Sequence, residues 1–275
     1  MLVKFTIGDK DYLADLTDHA DISIPLIFNG DQPNTYDVPG AEAVAYEHEG
    51  FIGDVRRGGG CNFEKYTLIT HCNGTHTECV GHISYERIPV NEVLSDLLIP
   101  ATLVTVQPVK AGDTEDRYIP EKNDEDLLIT RISLEEALGG GESGFTRALV
   151  IRTLPNEDSK KSRRYMEKMP AFFSLDAMEF ISELGVEHLL TDLPSVDRTF
   201  DEGKLNAHHI FWNVEKGSSY IDRYDHSMKT ITEMIFVPDE VEDGEYLVSI
   251  QIPDFKADAA PSRVFLYKIK SLLQL

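Results

Sequence analysis

Residues 71–82, His71-Cys72-Asn73-Gly74-Thr75-His76-Thr77-Glu78-Cys79-Val80-Gly81-His82, constrain this chain more than any other segment. They hold three of its nine histidines, two of its three cysteines and one carboxylate. Imidazole, thiolate and carboxylate are the groups that bind transition metals or move protons near neutral pH. Asn73-Gly74 is a turn signal that lets backbone approach closely. Ligands on the two sides of a tight turn converge on one point, which is the geometry a metal site needs.

Register decides which side chains share a side. His76 and Glu78 are two residues apart, so in extended chain they point the same way. Cys79 then points the other way and reads as a small buried hydrophobe, as does Cys61. Before the turn, His71 and Cys72 are alternatives. In a strand they face opposite sides; register favours Cys72, and a bulge would exchange them. A thiolate in the set favours zinc over magnesium or calcium, which prefer oxygen.

The surrounding pattern suggests an α/β chain. Residues 3–7 and 11–15 flank Gly8-Asp9-Lys10 and read as a hairpin. Residues 29–60, rich in Gly, Pro, Asn and Asp, read as a long loop of the size that often carries function. Phe63–Thr70 alternates and reads as a strand delivering the motif, and Ala101–Val109 as another. Ser133-Leu-Glu-Glu136 is a capping-box pattern for a helix ended by Gly139-Gly140-Gly141. Ala148–Thr153 is a strand. Ser174 caps a helix to Leu184, stopped by Gly185, with Leu175, Met178, Ile181 and Leu184 on its core face. Strands follow from His188 to Thr191, Thr230 to Val237, Glu245 to Ile252 and Arg263 to Lys270. Together these predict a single domain over 1–275, with a mixed, curved sheet and flanking helices.

Composition excludes some partners. A net charge of −22 argues against nucleic acid, whose backbone needs a basic surface. No stretch approaches the ~18 apolar residues of a membrane span. The N-terminus has no long apolar core and no cleavage signal, so it does not read as a signal peptide. Three cysteines make a disulfide framework unexpected and fit a reducing cytoplasm. There is no G-x-S-x-G elbow, no Walker loop and no G-x-G-x-x-G before a helix.

The motif resembles that of the cyclase family of metal-dependent hydrolases, which includes kynurenine formamidases and isatin hydrolases, with the signature H-x-G-T-H-x-D-x-P-x-H. Gly74-Thr75-His76 matches directly, Glu78 stands where the family has Asp, His82 matches the last His, and Cys72 falls on the first. The resemblance continues in Asp21–Leu26, Gly185–Asp197, Ala207-His208-His209 and Ile231–Ile235, in the family's order. It implies a swivelling β/β/α-like fold. It implies Cys72, His76, Glu78, His208 and Glu233 as metal ligands, with Glu78 bridging when two ions bind. It further implies His82 as general acid/base, and one or two zinc ions per chain, manganese being possible. Residues around Lys216–Ser227, with Tyr220, Tyr224 and His226, read as an inserted loop near the site.

The reading is a metal-dependent hydrolase of an amide or cyclic amide, arylformamidase-like. Metal-bound hydroxide attacks the carbonyl and His82 passes the proton to the leaving nitrogen. The expected partner is a small-molecule substrate, and the expected assembly a homo-oligomer. The alternatives are a non-catalytic metal- or ligand-binding relative, suggested by Cys72 and Glu78, and a mononuclear lactone or ester hydrolase. Asp192, Ser195 and Asp197 are open between capping a turn and supporting the site.

Overall fold

The computed structural model describes residues 1–139 and 144–272. Ten strands form one mixed sheet. In chain order they are β1 (Leu2–Ile7), β2 (Lys10–Asp21), β3 (His76–Cys79), β4 (Ile99–Val106), β5 (Ala148–Thr153), β6 (His188–Thr191), β7 (Thr230–Glu233), β8 (Gly244–Gln251), β9 (Ala259–Pro261) and β10 (Arg263–Ser271). Across the sheet they run β1, β2, β10, β8, β4, β5, β6, β7, β3, β9. Strands β4 to β7 are parallel neighbours. The remaining pairings are antiparallel. This is the expected α/β architecture with a mixed sheet.

Parallel strands covered on both faces read as unbroken apolar runs, and β5 is buried throughout. Leu149 and Ile151 pack with Met178 and Ile181 of the helix Leu175–Glu183. Ala148 and Val150 pack on the other face with Val248 and Leu266. A truncation such as Leu149→Ala would cost ~2–5 kcal/mol. The helix starts as expected, with Ser174 Oγ accepting from the Ala177 N–H at 2.9 Å. The N-terminal hairpin also forms, turning at Gly8-Asp9. A register shift between Tyr267 and Ile269 bends the β10–β2 pair.

Four expectations need correction. The helix after β4 is Arg131–Leu138, and its cap is Thr130, three residues before Ser133. Each of these two hydroxyls accepts from the other's backbone N–H, so Ser133 closes the box rather than opening it. Gly139 ends the helix in the left-handed conformation, φ 65°; Gly140 and Gly141 lie outside the described residues. The loop 29–60 contains the short strands Glu42–Ala45, Glu47–His48 and Phe51–Ile52. The strand expected over Phe63–Thr70 spans only Glu64–Thr67 and pairs with Glu42–Ala45 in a separate ribbon. All four of its residues are exposed, so its alternation reflects ribbon pairing and not a buried face. The chain enters the motif instead through a helical turn, Thr70–Asn73. Finally, β7 stops at Glu233 because Met234 takes a left-handed φ of 54°. No helix among the described residues is long and apolar enough to cross a membrane.

Candidate metal centre

β3 and β7 lie side by side, with His76 opposite Glu233 and Glu78 opposite Ile231. The two-residue period sends His76 and Glu78 to one face. Thr77 and Cys79 go to the other: Thr77 Oγ1 is 2.8 Å from Thr232 Oγ1, and Cys79 Sγ donates to the Ile88 carbonyl at 3.3 Å. Gly81 makes this close packing possible, since a Cβ there would sit 2.0 Å from the Ile88 carbonyl oxygen.

His208 comes from the short helix Asn206–Phe211. Asp197 places it. One carboxylate oxygen accepts from the Ala207 N–H at 2.9 Å, and the other from the His208 N–H at 3.1 Å and His208 Nδ1 at 2.7 Å. Tyr118 donates its hydroxyl to Asp197 at 2.7 Å. With Nδ1 engaged, His208 Nε2 lies 3.0 Å from Glu78 Oε1 and 3.9 Å from Glu233 Oε1. Glu233 Oε1 accepts the Val196 N–H at 2.9 Å.

The third arm is His71. Its Nδ1 is 2.9 Å from Glu78 Oε2 and its Nε2 is 2.9 Å from Asp258 Oδ2. His82 stacks on it with ring centroids 4.2 Å apart. His82 Nδ1 is 3.4 Å from Asp258 Oδ2, and its Nε2 is 3.9 Å from Glu78 Oε2. Asp258 immediately precedes β9, and its carbonyl accepts the Cys79 N–H at 3.0 Å.

His76, Glu78, His208 and Glu233 are buried, with at most 3% exposure, whereas His71 and His82 are partly open. Solvent and ligands therefore reach the centre past His71 and His82. Burial penalises every charge here, yet the charges support one another. Burial pushes His71 down, but contacts with Asp258 and Glu78 outweigh it and raise the imidazole to about 10. His208 is raised well above its ordinary value against burial by Asp197 and Glu78. Burial would raise Glu78, but the charge of His82 and the contacts from His208 and His71 hold it well below the usual carboxylate range. Asp258 is lowered by hydrogen bonds from His71 and His82.

The donor set fits a bound divalent cation. His76 Nδ1 donates to the Gly74 carbonyl at 2.9 Å. That leaves Nε2 buried, without a hydrogen-bond partner, 3.4 Å from Glu233 Oε2. A ring nitrogen with its lone pair free and a carboxylate oxygen repel unless a cation or proton lies between them. Ligand atoms of His71, His76 and Glu78 gather within 4.8 Å of one another, as do those of Glu78, His82 and His208, and of His71, His82 and Asp258. Glu78 belongs to two of these groups. Buried imidazoles whose other nitrogen is held by a carboxylate or carbonyl are typical of metal ligands.

Of the sequence-derived residues, His76, Glu78, His82, His208 and Glu233 thus come together. Cys72 is buried and in none of the three groups. Burial and the charge of Glu233 push its thiol up to about 11. His71 occupies the converging position, because a helical turn sets neighbouring side chains about 100° apart instead of the 180° of a strand. Asp197 both caps the His208 helix and orients the imidazole. Asp192 serves elsewhere, accepting from Lys160 Nζ at 2.7 Å and from Thr153. Ser195 accepts the Asp197 N–H at 3.2 Å. His209, the next residue of the helix, is buried like His208. Sequence reasoning missed Asp258 and Tyr118; no local pattern marks either.

Two cavities open beside His82. One, of about 810 Å³, includes Tyr85, Asn206, His209 and residues Lys216 and Ser219 of the loop 216–227. The other, of about 460 Å³, runs along Asp258, Arg87 and Arg223. The loop 216–227 is tied down where the Ser219 carbonyl accepts the Tyr85 N–H at 2.7 Å.

Solved structures share this architecture. A protein described as a predicted metal-dependent hydrolase, from Bacillus stearothermophilus, superposes with a TM-score of 0.56 at 16% identity, covering 91% of this chain and 98% of that one. An isatin hydrolase bound to the product analogue thioisatinate gives 0.58 at 14% identity, covering 92% and 93%. In sequence, the kynurenine formamidase of Bacillus cytotoxicus is 23% identical over 253 residues, 90% of this chain and 95% of its own. The Cyclase family model matches residues 15–198, and the chain belongs to that family.

Proposed function

We propose that this chain is a metal-dependent hydrolase that cleaves the carbon–nitrogen bond of an amide or cyclic amide. The observation that carries the proposal is His76 Nε2, buried and unpartnered opposite Glu233 within a cluster of imidazoles and carboxylates. Kinship with a kynurenine formamidase and an isatin hydrolase supports the reaction class. His71, His76, Glu78, His208 and Glu233 would hold zinc or manganese, with His71 in the place first assigned to Cys72. A cation bound there supplies Lewis acidity, which polarises a carbonyl and acidifies a coordinated water.

The chain's own residues do the rest. In the reaction a C–O bond forms between the water oxygen and the carbonyl carbon, the C–N bond breaks, and the nitrogen gains a proton. His82 is partly open, faces both cavities and lies beside the buried carboxylates. It takes the water proton and returns it to the leaving nitrogen. Asp258, 3.4 Å from His82 Nδ1, orients the ring. Asp197 fixes His208 with Nε2 inward. Burial of Glu78 and Glu233 excludes competing water.

Glu78 stands where the family motif carries Asp, and this longer side chain favours a second reading, a metal-binding relative without turnover. Formanilide hydrolysis by zinc- or manganese-loaded protein, abolished by a chelator, would support the hydrolase. Bound metal with no turnover of formanilide or a cyclic amide such as isatin would favour the second reading.

A further inference from the structure

The chain carries 48 acidic residues against 26 basic ones. In so acidic a molecule arginines find carboxylates easily, and ten of the twelve lie within 4.0 Å of one. Arg87 and Arg223 are the two that, among the described residues, have no such partner. Both line the same cavity, and that cavity is the one bounded by His82 and Asp258. They come from segments far apart in the chain: Arg87 follows the motif directly, and Arg223 belongs to the inserted loop.

The other charges of the cavity are already engaged or few. Asp258 is held by His71 and His82, and Lys256 lies 3.6 Å from Glu92. Glu86 is the remaining carboxylate of the lining. Two guanidinium groups without carboxylate partners, beside a site that acts on small molecules, suit a planar anion, which arginine binds by paired N–H donors.

We propose that Arg87 and Arg223 bind a carboxylate on the substrate, so that the enzyme acts on amides bearing an anionic group. This rests on the hydrolase reading for the reaction, but not for the binding. The inserted loop then sets specificity by delivering Arg223.

Two matched pairs of compounds test it. Formanilide and 2-formamidobenzoate present the same amide without and with a carboxylate. Their hydrolysis products, aniline and 2-aminobenzoate, present the same difference with nothing left to hydrolyse. Metal-loaded wild type is expected to favour 2-formamidobenzoate in kcat/KM by ~10-fold or more, mainly through KM. In the double variant R87Q/R223Q this preference collapses to within about twofold of parity, and added salt reduces it in wild type. Calorimetry is expected to show 2-aminobenzoate binding to wild type and losing ~10-fold or more in affinity in the double variant. A carboxylate preference that survives the double variant, or no preference at all, overturns the proposal. If neither anilide is turned over, the hydrolase reading fails and calorimetry still decides. 2-Aminobenzoate that fails to bind wild type, or binds both proteins equally, overturns the carboxylate site.

Discussion

His76 and Glu233 are register partners on adjacent antiparallel strands, and their side chains end 3.4 Å apart with His76 Nε2 left without a hydrogen bond. Backbone pairing of β3 with β7 therefore sets the spacing of the centre, and a bound cation would resolve the contact. His76→Ala and Glu233→Gln are each expected to lower metal retained after dialysis by ~10-fold or more. Circular dichroism should show the fold kept, since these residues terminate strands and do not fill the main core. Retention equal to wild type in both variants would remove the pair from the site.

His71 and Cys72 make opposite predictions. The helical turn Thr70–Asn73 turns His71 to Glu78 and Asp258, and Cys72 into the protein. His71→Ala should lose metal, whereas Cys72→Ser should keep it. The measurement is metal per chain for the two variants side by side, and the reverse order would restore the thiol as ligand.

In the proposed reaction His82 and Asp258 act on the proton rather than on the metal. His82→Ala is expected to keep metal and lose ~10²–10⁴-fold in kcat. Asp258→Asn should lose less in kcat, because the imidazole loses the carboxylate that orients it but keeps its stacking on His71. Full formanilide turnover by His82→Ala would exclude the imidazole from the mechanism.

On β6, beside β7, His188 supplies a pH effect of its own. Its ring is buried, with Nδ1 2.8 Å from Thr230 Oγ1, and burial lowers its pKa despite Asp96 at 3.4 Å. Folding thus favours the neutral ring, while the unfolded chain takes up a proton below the ordinary value of 6.5. The contribution to stability is complete above that value and is lost as pH falls through it toward the lower folded-state value. The drop in Tm between about pH 8 and about pH 5 should be smaller in His188→Gln than in wild type. An unchanged drop would refute this assignment.

The parts of this molecule visible in sequence are those governed by short-range periodicity. β5 and the helix capped by Ser174 follow from apolar runs and a capping hydroxyl, and the shared side of His76 and Glu78 follows from the period of a strand. What escaped depends on contacts that leave no period in the sequence, local in one case and distant in the chain in another. Residues 70–73 form a helical turn in which Asn73 Oδ1 accepts the Ile69 N–H, and the turn brings His71 to Glu78. Asp258 reaches the site only because β9 pairs with β3, and a three-residue edge strand leaves no periodic trace. His208 and Glu233 were legible through resemblance to a family alone. Their own surroundings read as an ordinary helix and an ordinary strand.

A cation held by these imidazoles and carboxylates will be seen by elemental mass spectrometry of untagged protein purified without chelator. About one to two zinc or manganese ions per chain are expected, lost in His76→Ala. Protein that takes up neither ion, even after incubation with each, would contradict such a centre.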